Sequence, residues 1–316
     1  MRRPLCLLLP LLLTAGTAAA VPPGAPGCPL FPADSVWHAD VSALPVHPKS
    51  ALWLAASGGA AVKLHPDLGW AGGTAAPYGI PYTVVDAAHD TVPVTFTYAS
   101  ESDPGPYPLG PDTPIEGGND ALGDRHALMV DRDACVLYET YDTHYSPAGS
   151  TAGSGAIYDL RSNALRPRDW TSADAAGLPI LPGLLRLDEV LAGNVDHPIR
   201  FTMAKTDRSW VWPARHQAGL PTQGLLAPMG AWFRLKASYD VSGFGADTRV
   251  VLAAMKRHGM ILADNGSDWF FGGEASTEWP DALIAELKQV PASAFEAVDT
   301  TPLMVDPDSG QARAYP

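Results

Sequence analysis

Within residues 123–145, GDRHALMVDRDACVLYETYDTHY, the side chains able to do acid–base chemistry fall at even spacing: Asp124, His126, Glu139 and Tyr141. Two carboxyl groups held in unlike surroundings can divide the work of glycosidic hydrolysis, one keeping a proton for the leaving oxygen and one acting as base or nucleophile. Glu139 above an apolar floor of Leu128 and Leu137 fits the acid, and Asp124 the ionised partner. The same residues also fit a polysaccharide lyase. There Tyr141 or His126 would abstract a proton beside a uronate carboxylate, with Arg125, or Arg234 and Lys236, neutralising it.

Candidate substrate contacts lie elsewhere in the chain: Trp210, Trp212, Arg125, His216, Asp264, Asp268 and Trp269. Trp210 and Trp212 are two apart, so both rings leave a strand on one side and could stack on sugar faces, or serve as core. With those two as a platform and the hairpin purely structural, the chain would be a non-catalytic carbohydrate- or surface-binding protein. Asp264 and Asp268 flank the Asp264-Asn265-Gly266 turn beside Trp269, and turn chemistry alone also explains that acid pair. If a metal is bound, the donors would be His126, Glu139, His144 and His216, although no His-x-His or His-Glu-x-x-His spacing supports one. No cofactor is expected. Gly153-Ser154-Gly155 lacks the pattern of a serine nucleophile turn.

The element that positions the first four residues reads as a β-hairpin. Residues 126–130 and 135–141 are rich in β-branched and aromatic side chains around a polar turn at 131–134. With Arg132 and Asp133 at the tip, Val130 faces Cys135, Leu128 faces Leu137, His126 faces Glu139 and Asp124 faces Tyr141. All eight then share one face. An ordinary solvated cross-strand pair is the competing reading of His126 and Glu139.

Recurrent turn signals and short apolar runs elsewhere, including residues 60–65, 82–85, 92–98, 199–203, 209–212, 232–238 and 260–263, predict a mainly β protein with a few short helices. The expected architecture is one antiparallel β-sandwich or jelly-roll-like domain spanning residues 28–316. Helices are predicted at residues 50–56, 171–177, 184–192, 247–258 and 281–289, the fourth from its apolar stripe and the glycine after it. Residues 101–118, with four carboxylates among Pro and Gly, read as a surface loop, and residues 146–155 as a small-residue loop.

Gly 30 and Pro 31 with 17% charged residues favour a loop-rich β protein over a helical bundle. A net charge of −13 with no basic run argues against nucleic acid and anionic membranes as partners. Residues 1–20 carry two arginines, an apolar run and a small-residue end, the pattern of a secretory signal peptide cleaved after Ala20. Residues 21–27 read as a disordered Pro/Gly linker. A secreted, monomeric protein without membrane insertion is expected. Cys28 and Cys135 would remain after cleavage and pair in an oxidising compartment, with two buried free thiols as the alternative.

Several stretches, GDRHALMVD, LYETY, WTSADAAGLPILPGL, VWPARH, FRLKAS and ADNGSDWF, resemble an uncharacterised family of secreted bacterial and fungal proteins. The likeness covers most of the chain after residue 27 and implies secretion. By fold-level analogy it also implies a role on polysaccharide or oligosaccharide.

Overall fold

The computed structural model describes residues 21–70, 72 and 76–315, so the expected signal peptide at residues 1–20 lies outside the described residues. The protein is mainly β, with short helices. Strands β1 (His65–Asp67), β2 (Tyr82–Val85), β3 (Val94–Phe96), β4 (Ala127–Asp131), β5 (Val136–Tyr141), β6 (Ser150–Ala152) and β7 (Ser154–Asp159) occupy the first half of the chain. The second half contributes β8 (Ile199–Met203), β9 (Asp207–Trp210), β10 (Pro228–Met229), β11 (Trp232–Leu235), β12 (Met260–Asn265), β13 (Phe270–Gly272) and β14 (Phe295–Val298). The helices are α1 (Ser50–Ala56), α2 (Leu187–Ala192), α3 (Ala246–Arg257) and α4 (Asp281–Leu287).

A six-stranded sheet runs β1-β13-β8-β12-β11-β14 and a four-stranded sheet β2-β4-β5-β7, with small pairs β9–β10 and β3–β6. Pairing is mixed where the sequence suggested antiparallel throughout: β2–β4 and β8–β12 are parallel, β4–β5 and β11–β12 antiparallel. Parallel neighbours need a long crossover, and residues 86–126 and 204–259 provide two. Helix α3 buries Val251, Leu252, Ala254 and Met255, and Gly259 at φ +74 lets the chain turn straight into β12.

The β4–β5 hairpin forms, but its register differs by two residues from the expected one. Leu128 faces Glu139 and Val130 faces Leu137. The turn is 132–135 because Asp131 Oδ1 accepts the N–H groups of Asp133 and Ala134 at 2.9 and 3.0 Å, and Cys135 sits at φ +55 inside the turn. An even shift keeps each side chain on its expected face. His126 therefore comes beside Tyr141, ring centroids 5.8 Å apart, instead of facing Glu139.

Cys135 is disulfide-bonded to Cys28, with Cα atoms 5.2 Å apart. Residues 21–27 are folded against the body where a disordered linker was expected: Pro22 and Ala25 are buried, and Cys28 N–H donates to Ala25 O. Residues 171–177 form no helix, and residues 146–155 supply β6 and the start of β7, because β3 and β5 offer them edges to pair with. Among the described residues no helix is long and apolar enough to cross a membrane.

Candidate active site

A cluster of charged and polar side chains lies where the open end of the β4–β5 hairpin meets the C-terminal end of β12. The loop 170–177 is laid between them. Ser154 Oγ donates to Ser172 O at 2.6 Å, and Ser172 Oγ donates to Leu178 O at 2.6 Å. The His126 ring contacts Ala173 O at 3.1 Å through Nε2. Ala175 N donates to Asp264 Oδ2 at 3.2 Å, and Ala175 O meets His216 Nδ1 at 2.8 Å. Ala176 N donates to Ala263 O at 2.9 Å. Gly177 adopts φ +70, and a Cβ there would lie 2.5 Å from Trp170 O, so the closing turn requires glycine.

Among the charged groups gathered around this loop are four buried or half-buried carboxyls, Glu116, Glu139, Asp174 and Asp264, and the cations His126 and Arg200. Glu116 Oε2 bonds His126 Nδ1 at 2.6 Å, and Asp174 holds Arg200 by a two-point pair, with Nε–Oδ2 at 2.7 Å. Burial alone would lower the His126 pKa, but its hydrogen bond and charge interaction with Glu116 carry it up to about 9. Burial likewise opposes the Arg200 charge, and Asp174 more than compensates.

The other two carboxyls are bound by backbone N–H groups instead of cations. Glu139 accepts from Ile180 and Leu181 at 2.9 Å, and burial raises it to about 7 against the effect of those bonds. Asp264 accepts from Ala175 and, at 2.6 Å, from its neighbour Asn265. Burial and then the nearby Asp174 charge push it well above the usual carboxylate range.

Only Asp264 of these two faces open space. A cavity of about 420 Å³ is lined by Tyr98, Glu101, Asp124, Tyr141, His216 and Asp264, with the 171–175 loop as its floor. A second, of about 170 Å³, is lined by Asp67, Glu116, His126, Arg200, Phe270 and Gly272, and it shares Asp124, Asp264 and Asn265 with the first. Asp124 and Asp264 thus stand at the junction of a two-lobed cleft, Asp124 exposed and Asp264 half-buried. Glu101 Oε2 lies 3.7 Å from His216 Nε2 on the wall of the larger lobe.

Of the residues singled out in sequence, Asp124, Tyr141, His216 and Asp264 meet in the larger lobe and His126 lines the smaller. Glu139 is fully buried and lines neither. Arg125 cannot act as a substrate cation, because its guanidinium is turned inward onto the carbonyls of Thr143, Asn119 and Ala121. Trp269 is fully buried against Phe201, Phe233 and Phe295, which removes it from any substrate contact. Asp268 fixes the Ala204 N–H at 3.0 Å. Trp210 and Trp212 share a different cavity that has no lining residue in common with the cleft. Arg234 pairs with Glu296, and Lys236 donates to Ser293 O.

The four possible metal donors each have protein partners: His144 pairs with Asp142 at 2.9 Å, while His126, Glu139 and His216 have the partners given above. Among the described residues no group of three His, Cys, Asp or Glu side chains is arranged to hold a metal.

Glu101, Glu116, Asp174 and Arg200 did not stand out in the sequence. Glu101 and Glu116 belong to the segment read as a surface loop, and its density of carboxylates was the available signal. Arg200 and Asp174 carried no spacing signal.

The segments containing GDRH, WTSADAAG, VWPARH and ADNG all contribute to the cleft or its floor. The chain matches no protein-family model, and neither curated proteins nor solved structures provide a significant match.

Proposed function

We propose that the protein is a secreted glycan hydrolase whose general acid is Asp264. The observation that carries this reading is the position of Asp264 at the junction of the two lobes, with its carboxyl kept protonated toward neutrality by burial and by Asp174. Such a carboxyl can protonate a leaving glycosidic oxygen, while an exposed carboxylate serves as base or nucleophile. Asp124, at the same junction, takes the second role. The two lobes would accept sugar units on either side of the scissile bond, and Tyr98 and Tyr141 offer aromatic surface to sugar C–H faces.

The lyase reading is weaker on chemical grounds. Both ring nitrogens of His126 are engaged, Nδ1 by Glu116 and Nε2 by Ala173 O, burial holds the Tyr141 phenol above its ordinary value and so disfavours its ionised form, and Arg200 is already committed to Asp174. A half-buried carboxyl that still reaches the cleft supports hydrolysis by an acid with a raised pKa.

Replacing Asp264 with Asn should reduce kcat on a susceptible neutral glycan by about 10²–10⁴-fold. In the wild type, the rate should fall as pH rises through the point where Asp264 loses its proton. Reducing-sugar release across a glycan panel, with absorbance at about 235 nm followed for unsaturated lyase products, measures both reactions. Full activity in the Asp264→Asn variant would sink the assignment.

A further inference from the structure

We propose that the tryptophan-lined cavity is a second glycan-binding site, distinct from the acidic cleft, which grips a pyranose ring of an uncharged polysaccharide. The hydrolase reading guides only the choice of ligand class. The cavity, of about 310 Å³, is lined by Trp53, Trp210, Trp212 and Trp232. Its size is near the lower end of ordinary small-ligand sites.

All four indole N–H groups are committed within the protein. Trp53 donates to Gly224 O at 3.2 Å, Trp210 to Asp169 Oδ1 at 3.4 Å, Trp212 to Ser309 O at 2.8 Å and Trp232 to His258 O at 2.7 Å. Trp53, Trp212 and Trp232 are buried and form the packed wall behind the cavity, while the half-buried Trp210 ring offers carbon surface in an orientation fixed before a ligand arrives, which lowers the entropic cost of binding. Arg215 packs its guanidinium 5.6 Å from the centre of the Trp210 ring and helps to fix it. His47 does the same for Trp53 by stacking at 4.2 Å.

The rim is polar where the floor is not. Arg168, Asp299 and Thr301 stand there, and Asp299 Oδ1 accepts the Thr301 N–H at 2.9 Å, leaving further lone pairs for a hydroxyl donor. An apolar floor under a hydrogen-bonding rim matches a sugar ring, with its C–H face and hydroxyl edge. Arg168 is ion-paired to Asp308, Nε–Oδ1 at 2.9 Å, so its charge is not free for an anionic ligand, and the rim suits an uncharged ligand that donates hydroxyl groups to Asp299.

Cellohexaose, xylohexaose and mannohexaose are the probes. Each is titrated into the intact protein while indole fluorescence and calorimetric heat are followed, in the wild type and in Trp210→Ala, Val211→Arg and Asp264→Asn. Val211 lines the cavity and is 38% exposed, so arginine there can obstruct the site without disturbing the core. At least one hexasaccharide should perturb the fluorescence. That response should weaken about tenfold or more in Trp210→Ala and Val211→Arg and persist in Asp264→Asn. Equal binding in the wild type and both cavity variants, or no fluorescence response to any probe, overturns the second site. Hydrolysis undiminished in Asp264→Asn overturns the hydrolase reading instead and leaves the outcome of the titration standing.

Discussion

Glu139 and Asp264 show how the same residue type takes different roles in one neighbourhood. Both carboxyls are bound by backbone N–H groups and both are pushed up by burial, but Asp264 faces the cleft while Glu139 is enclosed against Ile180 and Leu181. Glu139 is therefore a structural acceptor that fixes the chain after loop 170–177. In Glu139→Gln an amide NH₂ would have to face those N–H donors. The variant should lose about 1–3 kcal/mol of stability in urea denaturation, since one buried donor is left without its acceptor. Hydrolysis per folded molecule should survive. Alternation in the sequence places Glu139 on the core side of β5. It does not reveal the neighbour 41 residues away that encloses it.

At the scale of elements, the hairpin was legible because its two strands alternate and its turn is polar. The register was not, because Cys135 has the composition of a strand residue and the backbone of a turn residue, held in place by a disulfide to Cys28. Residues 171–177 read as a capped short helix, which does not form. Ser172 does bond the N–H of Asp174 at 3.0 Å, but the backbone partners that would extend a helix go to Ala263, His216 and Arg215 instead. Such long-range competition leaves no local trace.

The loop's geometry is testable through Gly177. Gly177→Ala adds a positive-φ penalty and a clash with Trp170 O, an expected cost of about 1–3 kcal/mol. It should also loosen the Ala175 N–H held by Asp264. Thermal unfolding should show the first effect. The second should appear as a higher apparent pKa of the descending limb in the pH–rate profile, because the carboxylate loses a hydrogen-bond donor.

For the whole molecule, the mainly β character and the short helices followed from composition and turn spacing, and the Cys28–Cys135 pairing from the two cysteines left beyond the expected signal peptide. The mixed sheets did not, since parallel pairing of β2 with β4 depends on a crossover whose route is set by packing. The buried charges give the fold a definite pH response. Glu139 goes from 4.5 to about 7 and His126 from 6.5 to about 9, so their stabilisation is complete below the lower values and is lost as pH rises through the upper ones.

His258, lowered to about 4 by burial, acts in the opposite sense, as do Asp40, Glu116 and Asp207, whose partners hold them below their ordinary values. These contributions are lost as pH falls. Stability in urea should therefore be greatest near about pH 5 and decline toward pH 9. In Glu116→Gln the decline above pH 6.5 should flatten, because His126 no longer gains a partner on folding. An unchanged slope would remove His126 as its source.

The bridge from Cys28 to Cys135 spans a sequence separation of 107 that includes Leu122, the most exposed large apolar side chain among the described residues. A protease cutting beside Leu122 would make two pieces that stay covalently joined, with the whole of β4 and β5 on one piece and β2 and β3 on the other. The break would fall next to Asp124. A nicked molecule could then keep its mass under non-reducing conditions and its sheets, and yet lose the anchor of one of its two proposed working carboxylates.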